Sequence, residues 1–314
     1  MSLRNMKHKL KIVALAGGVG GAKLAHGLAQ KLSPDDLTII VNTGDDFEHY
    51  GLYICPDLDT VCYTLAGLAN PETGWGRLDE SWNAFGNAAR LGGPSWFNLG
   101  DQDLGTHLER TRRLKEGQPL SEITRDFCQA WGVSPTILPM SNQQVRTIVN
   151  TEEGELAFQE YFVHRRCEPR VKGFRFAGLQ VAEPVPGARE ALQSADAIII
   201  CPSNPWVSID PILRLLPKIE NPVYAVSPII GGETVKGPAA KMYRELGIQP
   251  SALAVAKHYQ GLITGFVLDQ VDRQLEGEIV ALNVTTLVTN TLMKSHEDRS
   301  RLAQEILGFI GEHV

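Results

Sequence analysis

Residues 12–41 read IVALAGGVGGAKLAHGLAQKLSPDDLTIIV, two apolar pentads joined by a glycine cluster and a helical repeat. The first pentad, Ile12–Ala16, is a continuous apolar run of the kind buried on both faces of a parallel sheet. Gly17, Gly18, Gly20 and Gly21 follow it, and Leu24, Leu28 and Leu32 then recur at helical spacing, predicting a helix over 22–32. Leu37–Val41 is a second buried strand. Strand, glycine turn, helix and strand make a βαβ unit, whose crossover is right-handed.

Working outward, the same alternation returns in the second half. Ala197–Ile200 (AIII) and 222–227 (PVYAVS) are further strands, and helices are expected at 239–246 and 297–310. Between the halves lie an amphipathic helix over 61–68 closed by Asn70-Pro71, a Trp-rich segment at 74–97, a helix at 104–115 and a hairpin over 147–163 turning at Glu153-Gly154. The expectation is one α/β domain over 1–314, an open, mostly parallel sheet with helices on both faces. A helical and hairpin insertion is expected at about 71–180, covering its site.

With 314 residues, 43% hydrophobic and 21% charged, the chain has ordinary globular composition. Its formal charge of −6 argues against a nucleic-acid surface. The five cysteines (Cys55, Cys62, Cys128, Cys167 and Cys201) are scattered without a CxxC pair, as expected of reduced thiols in a cytoplasmic protein. Arg4, Lys7, Lys9 and Lys11 precede an apolar run too short for a signal sequence, and no run approaches the roughly 18 residues that span a membrane.

The glycine cluster brings backbone N–H groups and a helix N-terminus close to a ligand, an arrangement that suits phosphate, with Lys23 in support. It is neither GxGxxG, because Lys stands at 23, nor a Walker A loop, and a tight βα turn without ligand is the alternative. Asp45, Asp46, Asp57 and Asp59 place four carboxylates within fifteen residues after the second strand. Mg²⁺ takes one or two carboxylates plus phosphate oxygens, so this spacing points to a divalent metal on a diphosphate. A carboxylate acting as general base is a second possibility. Asp57 stays open between a helix cap and a functional group. Asp101, Asp103 and His107 form a further set, open between a helix cap with a surface histidine and a cleft-facing group. Ser203, Asn204 and Ser227 end strands, where open α/β sheets bind ligands, although serines and prolines there are also routine turn residues. The cluster His164, Arg165, Arg166, Arg170 and Lys172 reads as a solvated loop.

Seven segments resemble the 2-phospho-L-lactate transferases of deazaflavin coenzyme F-420 biosynthesis. They are GGVGGAKL (17–24), VNTGDDFEHYGLYICPDLDTVCYTL (41–65), GWG (74–76), LGDQDLGTH (99–107), ILPMS (137–141), CPSNPWVSIDPIL (201–213) and VSPIIGG (226–232), in order along nearly the whole chain. The resemblance implies a Rossmann-like core and a homodimer. It also implies Mg²⁺-dependent transfer of a phospholactyl or phosphoenolpyruvyl group from a guanosine diphospho-linked three-carbon acid to the ribityl hydroxyl of the deazaflavin Fo, with GMP released. Asp59 matches the family's deazaflavin-contacting Asp in PDLDT, and Asp45 and Asp46 occupy the acidic pair expected near metal and acceptor. Asn98 stands where some members have Lys. GGVGG looks more like bacterial members, which favours the enolpyruvyl donor. Two other readings compete: a nucleotide-sugar-binding regulator of the gluconeogenesis-factor type, which lacks PDLDT, and a dinucleotide oxidoreductase, disfavoured because Asn42 replaces the acid that would hold a ribose.

Overall fold

The computed structural model describes residues 9–313, so Arg4 and Lys7 lie outside the described residues. Strands β1 (Ile12–Ala16) and β2 (Leu37–Val41) precede a short hairpin, β3 (Phe47–His49) and β4 (Leu52–Ile54). Then come β5 (Thr136–Pro139) and an antiparallel triplet, β6 (Arg146–Thr151), β7 (Gly154–Ala157) and β8 (Val171–Ala177). The second half holds β9 (Ala197–Ile200), β10 (Val223–Val226), the small hairpin β11 (Ile229–Ile230) and β12 (Glu233–Thr234), β13 (Gly265–Asp269) and β14 (Thr285–Thr289). The helices are α1 (Gly18–Ala29), α2 (Pro56–Leu65), α3 (Asn83–Arg90), α4 (Asp101–Lys115) and α5 (Leu120–Ala130) in the first half. Those of the second half are α6 (Ala188–Ser194), α7 (Asp210–Leu215), α8 (Ala239–Glu245), α9 (Ala252–His258), α10 (Glu276–Val280) and α11 (His296–Gly311).

Seven strands form the main sheet in the order β5-β2-β1-β9-β10-β13-β14, and every neighbouring pair is parallel. Counted within that sheet the order is 3-2-1-4-5-6-7, the doubly wound Rossmann-like arrangement with its switch point between β1 and β9. Alternate residues face opposite layers, as a pleated strand requires. Val13, Leu15, Ile198 and Ile200 join the core under α6, α7, α8 and α9. Ile12, Ala14, Ala16 and Ile199 join the core under α1, α2 and α11. The expected βαβ start is therefore present, with Ile12 opposite Leu37 and Ala16 opposite Val41.

Three elements differ from expectation. α1 starts at Gly18, so the glycines form its first turn and not a loop before it. The span expected as one insertion contains β5, an edge strand of the main sheet, and is thereby divided into a helical excursion and the β6–β8 sheet. β13 and β14 complete the far edge, although short apolar runs such as GFVLD carry no periodicity that separates strand from helix. No helix among the described residues is long and apolar enough to cross a membrane.

Packing of α1 on α11 depends on Gly27, where an added Cβ would overlap the Arg299 carbonyl and lie 3.3 Å from the Ala303 Cβ. Gly27→Ala is expected to lower unfolding free energy by about 1–3 kcal/mol despite alanine's better helix propensity. Urea titration checks this, and an unchanged or raised midpoint would contradict the close packing.

Candidate active site at the switch point of the sheet

A cavity of about 780 Å³ opens beyond the C-terminal ends of β1, β2, β9 and β10, within the size range of small-molecule sites. Its floor is the start of α1. Gly17 is an extended N-cap without a side chain, and the first turn has no acidic residue of its own, so beyond the Gly18 N–H, which Asp57 takes, the helix end can face an anion. Ser203, just after β9, anchors this turn: its Oγ accepts from Gly17 N at 3.2 Å and donates to Gly17 O at 2.8 Å. A Cβ at Gly20 would overlap the Pro202 carbonyl, so glycine is what lets α1 approach the end of β9.

The carboxylates come from the exit of β2 and the first turn of α2. Pro56 opens α2 with its φ already helical, which puts Asp57 and Asp59 in the first turn. Asp57 Oδ1 accepts the Gly18 N–H at 2.8 Å, and its Oδ2 accepts the Asn42 amide at 2.9 Å. Burial nevertheless raises Asp57 to about 6. Asp45 is raised well above the usual carboxylate range, first by burial and then by the charges of Asp57 and Asp46. Its Oδ1 is buried with no hydrogen-bond partner. Two buried carboxylates that repel one another, one with an orphan oxygen, beside a helix N-terminus, are a donor set suited to a hard divalent cation.

The same wall carries aromatic side chains: Trp75, Trp96, Phe97, Phe158 and Phe162 line the cavity together with Asn98, Asp59, Asp103, His107 and Tyr63. Asp59 is gripped by Arg110 from α4, with Nη1 donating to Oδ2 at 3.0 Å and Nη2 to Oδ1. Asp103 accepts the Tyr63 hydroxyl at 2.7 Å. Asp59, Asp103 and His107 present ligand atoms within 4.8 Å of one another, a second grouping that could hold a cation. Two lysines flank the glycine turn. Lys23 Nζ donates to Met293 O at 2.9 Å, and Lys236 Nζ donates to Glu72 O at 3.3 Å and to Thr73 O, joining the 72–76 segment to the loop before α8.

Of the residues expected from sequence, Gly17, Gly18, Gly20, Lys23, Asp45, Asp59, Asn98, His107, Ser203, Asn204 and Ser227 reach this one cavity. Gly21 and Asp46 are not on its wall. Gly21 packs against Ser203 Oγ and Ala16. Asp46 is buried behind the wall with both oxygens unpartnered, and burial raises it to about 8. Asp57, left open by sequence, stands on the wall and accepts from the first N–H of α1, so the helix it caps is not its own. Asp101 does not cap its own helix; it accepts from Asn83 N at 3.1 Å and Ala84 N at 3.0 Å at the start of α3. Glu80 takes the α4 end instead, accepting from Gln102 N and Asp103 N at 2.9 and 2.7 Å. His164 and Arg165 pair with Glu160 and Glu153 on the surface, as a solvated loop does. Sequence reasoning missed Asn42 as the orienter of Asp57, and missed Arg110 and Lys236. Arg110 could have been found three residues after His107 on the same helix; no local signal marks Lys236.

The family model described as 2-phospho-L-lactate transferase CofD matches residues 12–301. A phosphoenolpyruvate transferase of Streptomyces griseus is 42% identical over 311 residues, spanning 95% of this chain and 98% of the relative. A 2-phospho-L-lactate transferase of Methanothermobacter thermautotrophicus is 38% identical over 305 residues, with the same two coverages of 95% and 98%. A crystal structure of a UPF0052 family protein from Bacillus halodurans has a TM-score of 0.61 at 17% identity, covering 95% of this chain and 99% of that one, and so shares the fold.

The raised carboxylates make stability pH-dependent. Asp46 binds its proton more tightly in the folded chain, at about 8, than unfolded near 3.8. Its stabilising contribution is complete below the unfolded value and is lost as pH rises toward 8. His26, lowered by burial to about 4, has the opposite slope, but only below its unfolded value of 6.5. Between about pH 6.5 and 8, the thermal midpoint of the metal-free protein is therefore expected to fall, and Asp46→Asn to flatten that fall. A wild-type midpoint that holds constant or rises across this window would count against the buried placement of Asp46.

Proposed function

The chain belongs to the 2-phospho-L-lactate transferase CofD family and is a transferase, and from that premise we propose the reaction, the donor and the roles of the cavity residues. The reaction is transfer of a three-carbon phospho-acid from a guanosine diphospho-linked donor to the terminal ribityl hydroxyl of Fo. That hydroxyl attacks the phosphorus nearest the three-carbon acid, the bridging P–O bond breaks, and GMP leaves. The donor is the enolpyruvyl compound, in keeping with relatives named phosphoenolpyruvate transferase at 42% and 40% identity. The protein works as a homodimer, which sedimentation would test.

One observation carries this reading: a single cavity is lined by a glycine-capped helix N-terminus, by two buried carboxylates and by five aromatic side chains. The helix end and carboxylates suit a diphosphate and the aromatic side chains a flat heterocycle, so both substrates meet in the one cavity. Asp45 and Asp57 are the residues to hold Mg²⁺, in place of the Asp45 and Asp46 pair read from sequence. When bound, the ion neutralises diphosphate charge and favours departure of the GMP phosphate. The N–H groups at the start of α1, with Lys23 and Lys236, hold the remaining phosphate oxygens. The aromatic side chains stack on the deazaflavin and exclude water from the attacking hydroxyl. Transfer of this kind asks little covalent chemistry of the protein, so alignment of hydroxyl and phosphorus is its main contribution.

Purified protein incubated with Fo, Mg²⁺ and each donor in turn is expected to give GMP and the phosphodiester product from the enolpyruvyl donor, read by mass spectrometry. Product from the lactyl donor alone would reverse the donor assignment, and none from either would sink the reading. Tight binding of a nucleotide sugar without turnover would then favour the regulatory alternative. Asp45→Asn and Asp57→Asn are each expected to lower kcat/KM by about a hundredfold or more. Asp46→Asn should lose far less, and equal losses in all three would restore Asp46 to the metal site.

A further inference from the structure

Arg110 lies behind the wall of the cavity at Asp59, and its contacts limit what that wall can bind. Besides gripping Asp59, its Nη1 lies 3.2 Å from His107 Nδ1. A guanidinium only donates, so Nδ1 must accept and the proton of the neutral ring sits on Nε2. That Nε2 is 3.4 Å from Asp103 Oδ1, which already accepts the Tyr63 hydroxyl. Asp59, Asp103, His107 and Tyr63 all face the cavity, whereas Arg110 is 2% exposed and does not reach it.

The spacing of Asp59, Asp103 and His107 would pass for a metal site. Arg110 removes two of its requirements. A fixed cation already neutralises Asp59, and neither imidazole nitrogen keeps a lone pair for a metal, since Nδ1 accepts from Arg110 and Nε2 carries hydrogen. What remains on the wall is a set of carboxylate lone pairs with fixed directions. An ionised carboxylate has about four acceptor sites, of which Arg110 uses two on Asp59. Such a wall receives N–H and O–H donors.

We propose that Arg110 is a positioning residue for the acceptor substrate. It holds Asp59 as an oriented hydrogen-bond acceptor and fixes the His107 tautomer, so this wall takes a neutral, donor-bearing heterocycle or its polyol chain and not a second metal ion. The inference rests on the deazaflavin reading above. Arg110→Lys keeps the charge but loses the two-pronged grip and the contact to His107; Arg110→Met loses both.

The test is equilibrium binding of Fo, followed by its fluorescence with no donor present, to the full-length wild-type protein and both variants. Arg110→Met is expected to weaken Fo binding about tenfold or more and Arg110→Lys about threefold, with affinity for the guanosine diphospho-linked donor, measured by calorimetry, held within about twofold. Thermal scans establish that each variant is folded, and Arg110→Lys alone suffices if Arg110→Met is not. Unchanged Fo affinity in a folded variant would overturn the positioning role, as would equal losses for donor and acceptor. The half-saturating Mg²⁺ concentration is expected to be the same for Asp103→Asn as for wild type; a marked rise would make the cluster a metal site and overturn the inference. Failure of the wild-type protein to bind Fo at all would sink the deazaflavin reading, and this inference with it.

Discussion

A buried carboxylate, Asp57, ties together the three chain segments from which the site is made. It accepts one hydrogen bond from the first turn of α1 and another from the side chain of Asn42 at the exit of β2, while itself sitting in the first turn of α2. Gly17 has no Cβ because Asp57 Oδ2 would be 2.6 Å from it. Two donors recover part of what burying the charge costs, yet the group is still raised to about 6. The strain is local and chemical: a carboxylate held by donors, next to a second carboxylate with one oxygen that has no partner.

The rest of the cavity follows from this placement. With α1 and α2 joined, the start of α1 lies on the cavity wall, and Ser203 ties it to the end of β9 by bridging to Gly17. A chain of net charge −6 can still present an anion site there, because the helix end, Lys23 and Lys236 line the same cavity. In turn α4 brings Arg110 under Asp59, so that the two acidic residues of PDLDT face different partners. Asp57 and Asp59 sit two apart on a helix, and a turn of about 200° between them sends one toward the glycines and the other toward α4.

Much of this was legible in the chain, because the signals are local. An apolar pentad, a glycine cluster and a second pentad imply a buried βαβ unit whatever follows, and the glycines and carboxylates that end those strands lie where such sheets bind ligands. Two residues are placed differently from the sequence reading. Asp46 looked equivalent to Asp45 because neighbouring residues share a sequence context, but adjacent side chains point in different directions and only one reaches the cavity. Asp101 looked like a cap of α4 and caps α3 instead, because segments that start near one another can exchange caps. β5, β13 and β14 were not foreseen, since runs of four or five residues carry too little periodicity to separate strand from helix.

By itself, the sequence determined the α/β class, the strand–glycine–helix start, the acidic segment and the family, all of which are properties of contiguous residues. The tertiary structure alone decided that Asp45 and Asp57 stand on the cavity wall while Asp46, beside Asp45, is buried off it. It also decided that Arg110, from a helix fifty residues away, neutralises Asp59, and that Lys236 reaches the 72–76 segment. Those are pairings between groups remote in the chain, and no spacing encodes them. They arise because burying both faces of one parallel sheet brings the ends of its central strands, and the side chains carried there, into a single cavity.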